Sequence, residues 1–255
     1  MGFLGVSALL FVASTVATIA WCGSMSALAE MPMPGGWKMS MAWMRMPGQT
    51  WASAAASFLG MWVVMMVAMM LPSLVPMLRR YRTAVGAARE PRLEWLTLRV
   101  GAGYFLVWTL LGVVALPLGV ALAGIEMRLP SLSRAVPFVV GVVVLLAGAL
   151  QLTAWKARQL ACCRESPGCE RTLPPAAGTA WRHGLRIGTD CVRCCAPPMA
   201  ILLVIGVMDL RVMAVVAAAI TVERIASAGE RIARGTGAIF AGSGLLMLGR
   251  AAGLF

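Results

Sequence analysis

Apolar stretches of about 17–25 residues recur along the whole chain, and that is the length a helix needs to cross a bilayer. Lipid offers no hydrogen bonds to exposed peptide groups, so a spanning chain has two solutions, a helix bundle or a closed barrel. The in-out alternation of barrel strands is missing. With 60% hydrophobic and 13% charged residues and a mean hydropathy of +0.83, the chain is also more apolar than a soluble core explains. The sequence therefore predicts an all-α, polytopic transmembrane bundle of six or seven spans, one integral membrane domain over residues 1–255 without internal repeats.

The first expected span is Gly2–Trp21. The Ala27-Leu28-Ala29 triplet after it mimics a cleavage site, but no lysine or arginine precedes the apolar run, so a retained helix is expected. Further spans are expected at 52–78, 98–121, 136–155, 192–208, 210–225 and 236–248. Those at 192–208 and 210–225 are short and meet at Asp209, as a tight hairpin or one broken helix. The glycine-rich last segment is the weakest.

The net charge of +12 comes from arginines beside apolar segments, without an aromatic-basic scaffold. That distribution fits a lipid bilayer as partner and not nucleic acid. Segments 79–99, 156–193 and 223–235 hold sixteen lysines and arginines, and the alternate segments hold six. Positive charge stays inside, which predicts a cytoplasmic N-terminus. The loop 23–51 then lies outside and the cysteine-bearing loop 156–191 in the cytoplasm.

Methionine is concentrated rather than spread: thirteen of nineteen lie between Met25 and Met77. Seven fall in the outer loop, with Met39/Met41 and Met44/Met46 spaced closely enough for two thioethers to reach one ion. The second expected helix contains WVVMMVAMMLPS, where Met61, Met65 and Met69 climb one stripe, flanked by Met66 and Met70. Pro72 and Pro76 are expected to kink or break that helix near its cytoplasmic end. A thioether is neutral and soft, so it suits Cu(I), or another soft ion such as Ag(I), over magnesium, calcium or zinc. Adaptable apolar filler is the competing explanation.

Six of the seven cysteines fall between Cys162 and Cys195, a clustering that reads as metal or redox chemistry more than as disulfide stapling. Cys191, Cys194 and Cys195 form a C-x-x-C-C run followed by Pro197 and Pro198. Those prolines suit the first positions of a helix, so the thiols are expected at its N-terminus, where the helix dipole and Arg193 favour thiolate. Cys162, Cys163, Cys169 and His183 share the preceding loop and are secondary candidates. Asp209 and Glu223 flank the sixth expected helix and line a polar path only if buried.

Two runs, MPGQTW…FLGMWVVMMVAMMLPSLVPM and GLRIGTDCVRCCAPPMAILLVIGVMDLRVMAVVAAAITVER, resemble the conserved blocks of a bacterial family of predicted metal-binding integral membrane proteins, a domain of unknown function. The second block includes the family's G-x-M-[ND]-L turn and the Glu-Arg pair after the sixth helix. Ala196 stands where members often carry tryptophan, and Cys162-Cys163-Arg164 is more tightly spaced than usual. The resemblance implies a polytopic inner-membrane protein holding a metal, copper first, on methionine and cysteine. Some relatives are tied to copper delivery, which implies a copper-requiring membrane or periplasmic partner.

Three functions compete on these grounds. One is copper handling, as a chaperone or transporter, with Met65, Met69, Met70, Cys191, Cys194 and Cys195 as principal ligands and no catalytic residue. Another is a membrane thiol–disulfide oxidoreductase using the three clustered thiols. The last is a metal-free subunit of a membrane complex. No P-loop signature is present.

Overall fold

The computed structural model describes residues 2–26, 31–33, 37–40, 43–45, 48–85, 90–165 and 176–254. Its helices are α1 (Phe3–Ser26), α2 (Trp51–Val85), α3 (Glu90–Arg128), α4 (Pro130–Gln151), α5 (Ala154–Glu165), α6 (Ala177–Ile205), α7 (Leu210–Ile225) and α8 (Gly229–Ala251). A two-residue antiparallel pairing of Met31–Pro32 (β1) with Lys38–Met39 (β2) is the only strand structure among the described residues. Among the described residues six helices, all but α5 and α7, are long and apolar enough to cross a membrane. At 16 residues, or about 24 Å, α7 falls short of the roughly 30 Å apolar core.

The weak helix is therefore α7, not the glycine-rich last one. Glycine lowers the hydropathy of α8, but its role there is contact. A Cβ on Gly148 of α4 would collide with the backbone of Ala241 and Gly237 of α8. One on Gly244 would lie 2.5 Å from the Leu145 nitrogen. Small residues let two backbones approach closely, which is how helices associate where no hydrophobic drive separates them from lipid. The α3–α6 contact works the same way, with Gly184 and Gly188 of α6 set against the Val100 and Tyr104 carbonyls.

Helix α2 is an inner element, contacting α1, α3 and α7, while α6 contacts α3, α4, α5 and α7. By contrast α1 presents Leu9, Val12 and Val16 outward and buries the narrow ridge Ser7, Ser14, Thr18 and Cys22. The hydroxyls of Ser7, Ser14 and Thr18 bond back to their own helix carbonyls.

The turn joining α6 to α7 follows from its residues. Gly206 takes φ +150°, a conformation that side chains disfavour, and ends α6. Asp209 then caps α7, its Oδ1 accepting from the Arg211 and Val212 amides at 2.8 and 3.2 Å. The expected hairpin at Asp209 is this turn.

Two expectations need correction. Residues 154–165 form a helix, and α6 starts at Ala177, so 156–191 is not a long irregular loop; residues 166–175, with Cys169, Pro167, Gly168, Pro174 and Pro175, lie outside the described residues. Cys191, Cys194 and Cys195 consequently sit in the body of α6, and Pro197 and Pro198 lie inside it, not at its start. The dipole argument for their thiolates does not apply there. Arg182, Arg186, Asp190 and Arg193 interrupt the apolar signal and conceal the true start.

Candidate metal centre

The methionine stripe of α2 points inward. Met61, Met65, Met66, Met69 and Met70 are each at most 3% exposed, and they share one buried cluster with Cys191, Cys194 and Cys195 of α6. Neither Pro72 nor Pro76 ends α2, which continues to Val85. Directly after Pro72, Ser73 is buried, donates to the Met70 carbonyl at 2.9 Å and accepts from Arg224 Nη1 at 3.0 Å.

Arg224, on the last turn of α7, is the hub of the site. Nη1 also donates to Cys191 Sγ at 2.9 Å, and Nη2 to Met77 Sδ at 2.9 Å. One guanidinium thus ties a thiol of α6 to a thioether and a hydroxyl of α2, using the fixed fork that only arginine has. The Tyr104 hydroxyl of α3 lies 3.0 Å from Cys191 Sγ, and Cys195 Sγ lies 3.8 Å from it. Cys194 stands beside Cys163 and Cys195. Cys163 in turn donates to the Asp190 carbonyl at 3.1 Å.

A second buried network supports the first. Lys156 Nζ and Glu223 Oε2 are 2.8 Å apart, and both side chains are at most 2% exposed. Gln151 Nε2 and Thr236 Oγ1 donate to Glu223 Oε1 at 2.9 and 2.6 Å. Lys156 also donates to the Cys194 carbonyl at 2.8 Å. Pro198 has no amide proton to give that carbonyl, so the lysine fills the vacancy the proline creates. Burial by itself favours the neutral amine, but the Glu223 carboxylate 2.8 Å away helps outweigh it and hold the Lys156 pKa above the ordinary lysine value.

The other candidates are dispersed. Met39 is buried in the β1–β2 pairing, whereas Met41 and Met46 lie outside the described residues. Met44 is half-buried and, with Met61 and Met208, lines a cavity of about 600 Å³ walled by Trp21, Trp43, Trp51 and Phe58. Cys162 is exposed, while Cys163 joins the thiols. His183 is half-buried and stacks on Tyr81, with ring centroids 5.3 Å apart. Sequence reasoning singled out Glu223 as a conditional polar residue but missed Tyr104, Lys156, Met77 and Arg224 as members of the site. For Arg224 a signal existed, a charge closing an apolar run; for Tyr104 there was none.

The donor set is soft and almost free of oxygen. Among the described residues the one buried carboxylate, Glu223, is already paired with Lys156, so this donor set does not suit a hard cation. Among the described residues no three His, Cys, Asp or Glu side chains are spaced to hold a metal by themselves. Two sulfurs each about 2.3 Å from one ion, the zinc–thiolate length, stand at most about 4.6 Å apart. Cys191 and Cys195, at 3.8 Å, meet that limit.

No curated protein and no solved structure matches the chain. A family model described as copper chaperone, PpoB2, matches residues 59–247, a span that contains every residue of both networks. The chain belongs to the PpoB2 copper-chaperone family.

Proposed function

We propose that this is a multi-pass protein of the bacterial inner membrane that carries Cu(I) as cargo, bound by methionine and cysteine sulfur inside the helix bundle. The observation that carries the reading is the shared burial of the α2 methionines and the α6 thiols in one cluster, with Arg224 tying Met77 of α2 to Cys191 of α6. Filler methionine has no reason to gather around thiols and a guanidinium. Thioethers hold a monovalent ion without losing a proton, and exchange between sites of two or three sulfurs needs little reorganisation. Cys191 with Cys195 forms the anchoring pair, Met65, Met69 and Met70 pass the ion along α2, and the methionine-rich loop serves as the outer approach. A copper-requiring membrane or periplasmic protein is the recipient.

A thiol–disulfide oxidoreductase fits less well. Its attacking thiol must reach a disulfide on another molecule, and Cys191, Cys194 and Cys195 are at most 1% exposed.

The test is metal analysis of the purified full chain after loading with Cu(I) under reducing conditions. Wild type should retain copper. Serine at Cys191, Cys194 and Cys195 should abolish retention, and leucine at Met65, Met69 and Met70 should weaken it. Wild type that retains no soft metal would end the reading.

A further inference from the structure

We propose that the aromatic cavity at the far end of α2 is a second ion site, where the thioethers of Met44, Met61 and Met208 hold a monovalent soft cation between tryptophan walls. The inference rests on the metal reading above and adds a place of entry built without thiols.

The cavity lies where one end of the bundle gathers four elements: the close of α1, the start of α2 with the segment before it, the second half of α3, and the turn between α6 and α7. Its volume is about 600 Å³. Met44 and Met208 are half-buried and Met61 is 3% exposed, so thioethers from three separate segments border one space. Methionine used as packing closes irregular gaps, and folded interiors leave few voids larger than a water molecule. Here three methionines surround a space that they do not fill. The wall is fixed by its neighbours: a Cβ at Gly119 of α3 would collide with the Trp43 indole, and the Phe58 and Trp43 ring centroids are 5.3 Å apart.

The lining decides which ion fits. Among the described residues it includes no carboxylate, thiol or imidazole, and only Gln49 and Ser57 supply side-chain oxygen. A hard divalent cation needs a fuller shell of oxygen than that. A soft monovalent ion is held by neutral sulfur without releasing a proton, and indole rings add cation–π attraction. Arg45 carries the one charge among the described lining residues. It is exposed, so solvent screens it, and it lies over Trp51 at 5.4 Å from the ring centroid, which leaves Trp21 and Trp43 as ring partners. Met61 also begins the α2 stripe. Met65 and Met69 follow in steps of about 6 Å along the helix axis, and Ser73, the partner of Arg224, lies about 18 Å from Met61. The cavity is thus separate from the thiol centre and joined to it by thioethers.

The test is a titration of the full wild-type chain in detergent with Ag(I), followed residue by residue through carbon-labelled methionine methyl signals in NMR. Once the thiols are filled, the Met44, Met61 and Met208 signals should shift together along one binding curve. Met127, 46% exposed on α3, should not move, and Zn(II) should shift none of the three. Met208→Leu nearly conserves volume and should weaken the Ag(I) binding read at Met44 about tenfold or more, the scale at which even a supporting contact of a metal site counts. An unchanged curve in that variant, shown to be folded by circular dichroism, refutes the three-sulfur site; if the variant does not fold, the wild-type titration decides alone. Met44 and Met208 signals that stay fixed while those of Met65, Met69 and Met70 move overturn the inference, assign the cavity to lipid or detergent chains, and leave the metal reading intact. Equal shifts at Met127, or equal shifts with Zn(II), mean indiscriminate binding and overturn it as well. Wild type that takes up no Ag(I) overturns the metal reading itself.

Discussion

The most exacting test of the buried architecture is Lys156→Met. It leaves Glu223 charged, at most 2% exposed, and without the ammonium 2.8 Å away. At an effective dielectric constant of about 20, two unit charges at that distance attract by about 6 kcal/mol. Desolvation of both ions offsets most of this, and breaking such a pair by removing one partner costs about 3–5 kcal/mol. The lower end applies, because Glu223 keeps its bonds from Gln151 and Thr236. Lys156→Met should therefore lose about 3 kcal/mol, and Glu223→Gln a similar amount. The double variant Lys156→Met, Glu223→Gln carries no unpaired charge and should come within about 1 kcal/mol of wild type. The assay is unfolding of the full chain in mixed micelles of rising SDS fraction, followed by circular dichroism. Alkali gives an independent check. The folded-state pKa of Lys156 is raised, so the pair's contribution is complete below the ordinary lysine pKa of about 10.4 and is lost as pH climbs above it. Strictly additive single variants, or Lys156→Met within about 0.5 kcal/mol of wild type, would refute the reasoning.

Two further outcomes follow from the packing and the charge distribution. Gly148→Leu should force α4 and α8 apart and cost about 3 kcal/mol in the same assay, because its Cβ has backbone in its way, whereas Gly124→Ala, with nothing within 4 Å, should be neutral or stabilising by up to about 1 kcal/mol. A membrane-impermeant maleimide should label the exposed Cys162 in inside-out vesicles and not in intact cells; labelling of Cys162 from outside would reverse the proposed orientation.

Legibility in the sequence depended on how local the determining interaction was. The bounds of α7, 210–225, coincide with the expected ones because Asp209 caps the helix from the adjacent residue. The methionine stripe of α2 was readable because helical spacing is a property of one segment, whereas its inward direction depends on the helices packed around it. The start of α6 was hidden by its own charges, since hydropathy marks where a helix enters lipid and not where the helix begins. Glycine misled in α8 for a related reason: hydropathy scores a residue against lipid, while Gly237 and Gly244 answer to Gly148, Gln151 and Leu145 of another helix. The centre itself was only half visible. Cysteine and methionine announce themselves by type, but Arg224 gains its meaning from Met77, 147 positions away, and Cys191, 33 away.

The Lys156–Glu223 network also has a consequence in time. Gln151 and Glu223 are 72 positions apart, and a ribosome adding about 5–20 residues per second needs roughly 4–14 seconds to cover that stretch. Throughout that interval Lys156 and the close-contact glycines of α4 exist without the carboxylate and the helix that complete them. The helices already made therefore carry an unanswered cation until α7 and α8 arrive to complete the ion pair and the glycine contacts.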